Sequence, residues 1–330
     1  NQTPLKAIGH NPRRRWAPMK GQILTTLRAA ETVVSGETLS QAMGVSRVTV
    51  WKHIRKLQEA GYPISAGPTG YRLTGDPDAL YPWEFPGREK TLHYHPRVDS
   101  TMNVARTLAR AGCPHMTVVV AGCQQRGRGR LQRVWRSTEG GLYFTIVLRP
   151  ELPPVLAHRA NFAASLVLAR TLQKLYGVPA KVKWPNDILV AERKLCGMLS
   201  EMEAEGDLAA FINIGIGINV NHDPSADEPM ATSLATLLGR PVSRRELLAC
   251  FLDSLEHRLQ QPELADVIAE WKTQSATLGR RVRIVTTRET AEGLARDVDE
   301  NGALILEDSA GVLRKIIYGD CFHHLSQGTA

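Results

Sequence analysis

Residues 211–220, Phe-Ile-Asn-Ile-Gly-Ile-Gly-Ile-Asn-Val, constrain the fold more than any other stretch of this chain. Ile212, Ile214, Ile216, Ile218 and Val220 alternate strictly, and a period of two puts them on one face of a β-strand, against a core. The opposite face shows Phe211, Asn213, Gly215, Gly217 and Asn219. Glycine weakens a strand, so two on one face predict a close approach by a ligand, or else a bulge or a tightly packed helix. Such a strand needs a sheet, and its surroundings supply one. Residues 117–121 and 142–148 are strand-like. Phe162, Leu166, Ala169 and Leu172 share one helical face, as do Leu247, Phe251 and Leu255, and Leu264, Val267, Ile268 and Trp271. The region reads as a mixed α/β domain with a sheet core.

The 330 residues exceed one ordinary domain. Of the net charge of +8, all falls in residues 1–75, which hold eleven Lys/Arg and three acids. A basic module on a neutral body predicts a polyanion partner for the module alone. Residues 1–20, with Arg13-Arg14-Arg15, read as a flexible basic leader. Beyond them Ile23, Leu27 and Ala30 lie on one helix face, and Ser35-Gly36-Glu37 interrupts it. A short helix over residues 39–43 follows, with Thr38 expected as its N-cap. Gly44-Val45 makes a turn, and Ser46 caps a third helix that buries Val50, Ile54 and Leu57. Tyr62-Pro63-Ile64 and Tyr71-Arg72-Leu73 flank a Gly67–Gly70 turn as a small wing. Residues 21–80 thus read as a winged helix-turn-helix, with Ser46, Arg47, Thr49, Lys52, His53 and Lys56 facing DNA phosphates and base edges. A protein-interaction domain with a solvated basic face is the alternative.

Five cysteines (Cys113, Cys123, Cys196, Cys250, Cys321) without a Cys-x-x-Cys pair argue against a disulfide framework or a structural zinc site. No run of eighteen apolar residues predicts a membrane span. A cytoplasmic protein is expected. Asp320, His323 and His324 lack the spaced partners of a metal site.

Two segments carry the chemistry. Gln124-Gln125-Arg126-Gly127-Arg128-Gly129-Arg130 is a glycine-spaced arginine loop whose backbone can bend round a ligand while its guanidinium groups offer permanent forked charge. Trp135 adds an apolar anchor. Lys183-Trp184-Pro185-Asn186-Asp187 ends in an amide and a carboxylate after a proline, and Lys194–Gly197 can pair back on it as a hairpin. Together they suit phosphates, a cation and a carboxylate, as in an enzyme that activates an acid with a nucleotide. Read alone, the loop is a solvated basic turn and the second segment a strand end.

Asp99-Ser100-Thr101-Met102, Gln124 through Trp135, Lys183–Asp187, Arg193–Gly197 and Gly215–Asn219, in that order behind a winged helix, resemble the biotin protein ligase family and its bifunctional branch, which also represses the biotin operon. The resemblance spans nearly the whole chain beyond the leader. It implies a class II synthetase-like α/β domain over 88–277 and a small SH3-like barrel over 278–330, where residues 281–285 and 304–306 and the Glu300-Asn301-Gly302 turn fit short strands. It implies biotin, ATP and Mg²⁺ as ligands, a biotin carboxyl carrier protein and operator DNA as partners, and a homodimer with adenylate bound. By resemblance, Ser100, Thr101, Met102, Gln124, Arg128, Gly129, Arg130, Lys194, Gly197 and Gly215 meet biotin. Arg128, Trp184, Asn186, Gly217 and Asn219 meet ATP or the adenylate, Asp187 meets Mg²⁺, and Lys183, Lys194 and Arg130 serve catalysis. The family often has Asn where Met102 stands, and a glycine where Gln132 stands, which predicts a stiffer far end of the loop. A ligand sensor without turnover and a lipoate ligase are the competing readings. Retention of Arg128, Arg130, Lys183, Asp187 and Lys194 weighs against the first, and the loop sequence against the second.

Overall fold

A computed structural model describes residues 19–150, 152–260 and 264–323, though not the side chains of Gln132 and Ala265. The expected leader up to residue 18, and His324, lie outside the described residues. The chain divides between His93 and Tyr94 into two compact units.

In the first unit α1 (Met19–Ala29), α2 (Gly36–Met43) and α3 (Arg47–Glu59) precede the hairpin β1 (Ile64–Gly67) and β2 (Gly70–Leu73). Met19 and Lys20, expected in the leader, belong to α1. The cap of α2 is Ser35, not Thr38: Ser35 Oγ accepts from Thr38 N at 3.0 Å. The last residue in extended backbone before the helix takes the cap, and Thr38 supplies the donor. Gly44 stops α2 at φ 65°, left-handed geometry that favours glycine. Ser46 caps α3 as expected. Ile23, Leu24, Leu27, Leu39, Val50, Ile54 and Leu57 make the core.

A 3₁₀ turn at Pro82–Glu84 packs back on this unit, where a Cβ on Gly21 would lie 2.7 Å from Trp83 O. The buried Glu84 carboxylate accepts both Arg28 Nη1 and Nη2 at 2.9 Å and the Tyr62 hydroxyl at 2.5 Å. Arg28 also reaches Asp76 at 2.6 Å.

The second unit is built on a seven-stranded sheet ordered β3-β4-β5-β9-β8-β7-β6. Its strands are β3 (Leu92–Val98), β4 (Thr117–Gln124), β5 (Leu142–Leu148), β6 (Lys181–Lys183), β7 (Asp187–Val190), β8 (Arg193–Glu205) and β9 (Leu208–Ile218). The helix α4 (Thr101–Arg110) packs on β4, β5 and β9. The long α5 (His158–Tyr176) packs with α7 (Arg244–Gln260) and α8 (Val267–Thr273), and α6 (Leu234–Leu238) follows a Ser233 cap. Strand β9 is central, so both its faces are buried, Asn213 included, as is Asn219 just beyond its end. The alternation holds, and the glycine face is buried as well. Met102 of α4 covers Gly215, and Trp135 covers Gly217. The close approach predicted from the glycines is made first by these two side chains.

The remaining strands, β10 (Arg281–Val285), β11 (Thr290–Val298), β12 (Leu304–Glu307), β13 (Leu313–Ile316) and β14 (Asp320–His323), form a five-stranded antiparallel sheet ordered β13-β12-β11-β10-β14. It is fixed to the larger sheet by the buried Trp184: its indole Nε1 donates to Gly302 O and its amide to Thr277 Oγ1, both at 3.0 Å.

Candidate active site

A cavity of about 490 Å³ opens over the glycine face of β8 and β9. It brings together every predicted ligand contact of this domain except Asn219. Asn219 is buried beside it, its backbone N–H bonded to Leu195 O at 3.0 Å.

At one end lies the start of α4. Ser100 is the N-cap residue, yet its hydroxyl makes no cap bond and is buried without a partner among the described residues. Thr101 is fully engaged. Its N–H and hydroxyl both donate to Gln124 Oε1, at 2.8 and 3.1 Å, and it accepts from Thr145 Oγ1 at 2.8 Å. Gln124 Nε2 donates to Ser137 Oγ at 2.8 Å, which orients the amide. A buried hydroxyl costs free energy until something bonds it, so Ser100 Oγ is a ready contact for a polar ligand.

The arginine loop lies over this end. Gly127 is obligatory, because a Cβ there would sit 2.3 Å from Trp135 O. Gln125 N and Arg126 N bond Val98 O and Asp99 O, and Trp135 N bonds Gly127 O, so both ends of the loop are held. Arg128 Nη2 lies 2.8 Å from Glu201 Oε1. Arg130 Nη1 donates to Gly319 O at 3.0 Å and reaches Asn186 Oδ1 at 3.4 Å. Burial lowers its pKa, offset by Asp320 and Asp187, and it stays a cation at neutral pH. Arg133 pairs with Asp320 at 2.5 Å. Near Gln132 the left-handed residue is Leu131, at φ 51°, a conformation that costs a non-glycine residue about 1–2 kcal/mol.

The hairpin β7–β8 supplies the other wall. Its register sets Asp187 opposite Gly197 and Leu189 opposite Lys194. Lys194 Nζ lies 3.0 Å and Lys183 Nζ 4.0 Å from the Asp187 carboxylate. Burial works against the Lys194 ammonium, but Asp187, and Glu228 further off, raise its pKa above the usual lysine value. Asn186 Nδ2 donates to Met198 O. Trp184 lines the cavity, while its indole Nε1 is bonded to the C-terminal sheet. Trp135 lies over Gly197 and Gly217, with Lys194 Nζ 5.3 Å from its ring and its own Nε1 buried and unpartnered. In the sequence Trp135 stood out only as an apolar anchor. The signal for more was the pair of glycines that a large ring would need beneath it.

In the first unit the predicted DNA face is on α3. Arg47, Lys52 and Lys56 are exposed. Ser46 Oγ and Thr49 Oγ1 lie 2.9 Å apart and serve the helix cap. Burial, then Lys20 and Lys56, lower the His53 pKa, so its ring is neutral at pH 7. Val48 and Trp51 are also exposed on α3, which the amphipathic pattern did not assign to the outer face.

The chain matches known protein families segment by segment. Residues 94–219 match the biotin/lipoate A/B protein ligase family, residues 20–72 a helix-turn-helix (HTH) domain, and residues 277–324 the biotin protein ligase C-terminal domain. The structure is similar to that of the biotin protein ligase from Aquifex aeolicus in complex with biotin and ATP, with a TM-score of 0.60 and 29% identity over 72% of this chain and 100% of that one. The chain belongs to the biotin protein ligase family, in the branch that carries a DNA-binding domain. It is 36% identical to the bifunctional ligase/repressor BirA of Bacillus subtilis over 313 residues, covering 89% of this chain and 94% of that protein. It is 31% identical to the bifunctional ligase/repressor BirA of Escherichia coli, covering 87% and 91%. Among the described residues, no helix is long and apolar enough to cross a membrane.

Proposed function

We propose that the cavity binds biotin at its Ser100–Gln124 end and ATP across Trp135 and the two lysines, makes biotinyl-5'-AMP, and passes biotin to a lysine of a biotin carboxyl carrier protein. The observation that carries this reading is one cavity in which an unpartnered buried hydroxyl, Ser100 Oγ, and an oriented amide, Gln124, face a row of cations: Arg128, Arg130, Lys183 and Lys194.

A carboxylate is a poor acylating agent. In the first step a biotin carboxylate oxygen bonds to the α-phosphorus of ATP, the bond from that phosphorus to its β-bridging oxygen breaks, and pyrophosphate leaves. Two anions must meet, and Arg130, Lys194 and Lys183 offset their repulsion and the charge of the transition state. Asp187 is the carboxylate that would hold Mg²⁺. Among the described residues no group of three ligating side chains surrounds it, which suits an ion that arrives with the phosphates and takes one protein carboxylate. When bound, Mg²⁺ neutralises phosphate charge. Trp135 stacks on the adenine, Asn186 lies beside it, and the arginine loop keeps water from the mixed anhydride. In the second step the acceptor lysine amine bonds to the acyl carbon, and the bond to AMP oxygen breaks.

The first unit reads operator DNA through α3, as a homodimer that the adenylate favours. All five cysteines are free thiols, which suits a reducing cytoplasm. The catalytic region is taken as 88–277 and the C-terminal one as 278–330.

Mg-ATP–pyrophosphate exchange with biotin and with lipoate tests the ligase. Exchange dependent on biotin is expected. Exchange with lipoate alone would make it a lipoate-type enzyme, and exchange with neither would leave a sensor without turnover. Anisotropy of labelled operator DNA, with and without biotinyl-AMP, tests the repressor.

A further inference from the structure

One polar pair beside the cavity has no part in the chemistry above. Glu201 on β8 and Asn213 on β9 are register partners. Their side chains therefore stand next to each other on the face covered by α4. Asn213 is one step along that face from Gly215, which lines the cavity. It is fully buried, and neither Oδ1 nor Nδ2 has a hydrogen-bond partner among the described residues. Glu201 Oε2 and Arg128 Nε are also buried without a hydrogen-bond partner among the described residues. Arg128 Nη2 is 2.8 Å from Glu201 Oε1, but without the direction of a hydrogen bond, and Arg106 Nη1 is 3.6 Å from Glu201 Oε2.

An amide is a poor choice for this position on stability grounds. The strand pattern is served by any β-branched residue, and an unpaired buried amide is unfavourable. Unpaired atoms of three neighbouring side chains, both donors and acceptors, offer the two to four polar partners that an internal water requires. Arg128 rides on a loop with glycines on either side of it, and its guanidinium is oriented by what it meets on the sheet.

We propose that Glu201 and Asn213 are positioning residues for Arg128: Glu201 by direct ion pairing, and Asn213 through an internal water that joins its amide to Glu201 and Arg128. This rests on the reading of Arg128 as a contact of biotin and the adenylate. Holding the guanidinium in place before the ligand arrives removes part of the ordering cost of binding. Loss of the pair therefore weakens binding and shortens adenylate retention without slowing the chemical step.

The test measures the biotin KM and kcat of pyrophosphate exchange, and the release rate of biotinyl-AMP, for Glu201→Gln, Asn213→Val, the double variant and the control Arg106→Gln. Glu201→Gln is expected to raise KM and speed release about tenfold, what the loss of about 1.4 kcal/mol produces, with kcat within about twofold. Asn213→Val is expected to do the same about threefold, and the double variant to be no worse than Glu201→Gln alone, since both act through one guanidinium. Arg106→Gln is expected to behave as wild type. Wild-type KM and release in Asn213→Val, with an unchanged or higher unfolding midpoint, would overturn the role of Asn213. Effects that multiply in the double variant would overturn the shared target. If valine lowers the midpoint, Asn213→Ala is measured and read in the same way. A wild-type chain without biotin-dependent exchange would remove the underlying reading before any variant is made, and so is distinguishable from failure of this inference.

Discussion

Replacing Gly217 by alanine tests whether the glycine face serves Trp135. An added Cβ would lie 2.4 Å from Trp135 Nε1 and 2.5 Å from Cε2. Non-bonded carbon contacts settle near about 3.5–4.0 Å, so one partner must retreat by about 1 Å or more. Gly217 cannot, because β9 is paired on both sides there, with Tyr143 of β5 and Gly197 of β8. Trp135 can, because it closes a loop held by its N–H to Gly127 O. The indole is therefore displaced and the fold kept. Stacking of a base on an aromatic ring is worth about 1–3 kcal/mol, and losing about 1–2 kcal/mol of it raises the KM for ATP roughly 5- to 30-fold. The biotin KM should change by less than about twofold and the unfolding midpoint by less than about 2 °C. Steady-state exchange at varied ATP, with a thermal melt of the same sample, decides it. An unchanged ATP KM alongside a midpoint lowered by about 5 °C or more would mean that the sheet yields and the ring does not.

Three further outcomes are expected. Arg130→Gly removes the contacts to Gly319 O and Asn186, and should speed biotinyl-AMP release about 10- to 100-fold and label bystander proteins; unchanged adenylate retention refutes it. Glu84→Gln breaks the buried pair with Arg28, which still keeps Asp76, and should cost the winged-helix unit about 2–3 kcal/mol, read by chemical denaturation of the full chain; a shift below about 0.5 kcal/mol would show that the pair adds nothing. Burial holds His115, His158, His222 and His323 below the usual histidine pKa of 6.5, so the unfolded chain takes up protons first as pH falls. Their stabilising contribution is present above pH 6.5 and is lost below it; thermal midpoints between pH 7.5 and about 5.5 should fall, and a flat or rising profile would contradict the assignment.

The strands and helices were legible where one periodic signal dominated. Ile212 to Ile218 fixed β9, and Ser46 fixed the start of α3. What was hidden depended on partners far along the chain. Nothing local marks Asn213 as fully buried, because its cover comes from α4 and its neighbour Glu201 from the strand before. Trp184 reads as part of a ligand motif, yet its ring serves Gly302, which lies 118 residues away. The choice between Ser35 and Thr38 as cap turned on which residue is the last in extended backbone, and a local pattern does not encode that. The cavity residues were found because the motifs carrying them resemble a known family, while their hydrogen-bond partners were found only in three dimensions.

The glycine face has a consequence for divergence. The sheet contributes a bare floor at Gly197, Gly215 and Gly217, and the shape of the site is supplied by what leans over it: the first turn of α4 and the loop ending at Trp135. Substrate preference can drift by exchange of those two short coverings, with no strand register disturbed and no floor residue replaced. The floor, in contrast, cannot change without moving a covering, since a Cβ added at any of the three glycines collides with Trp135 or Met102.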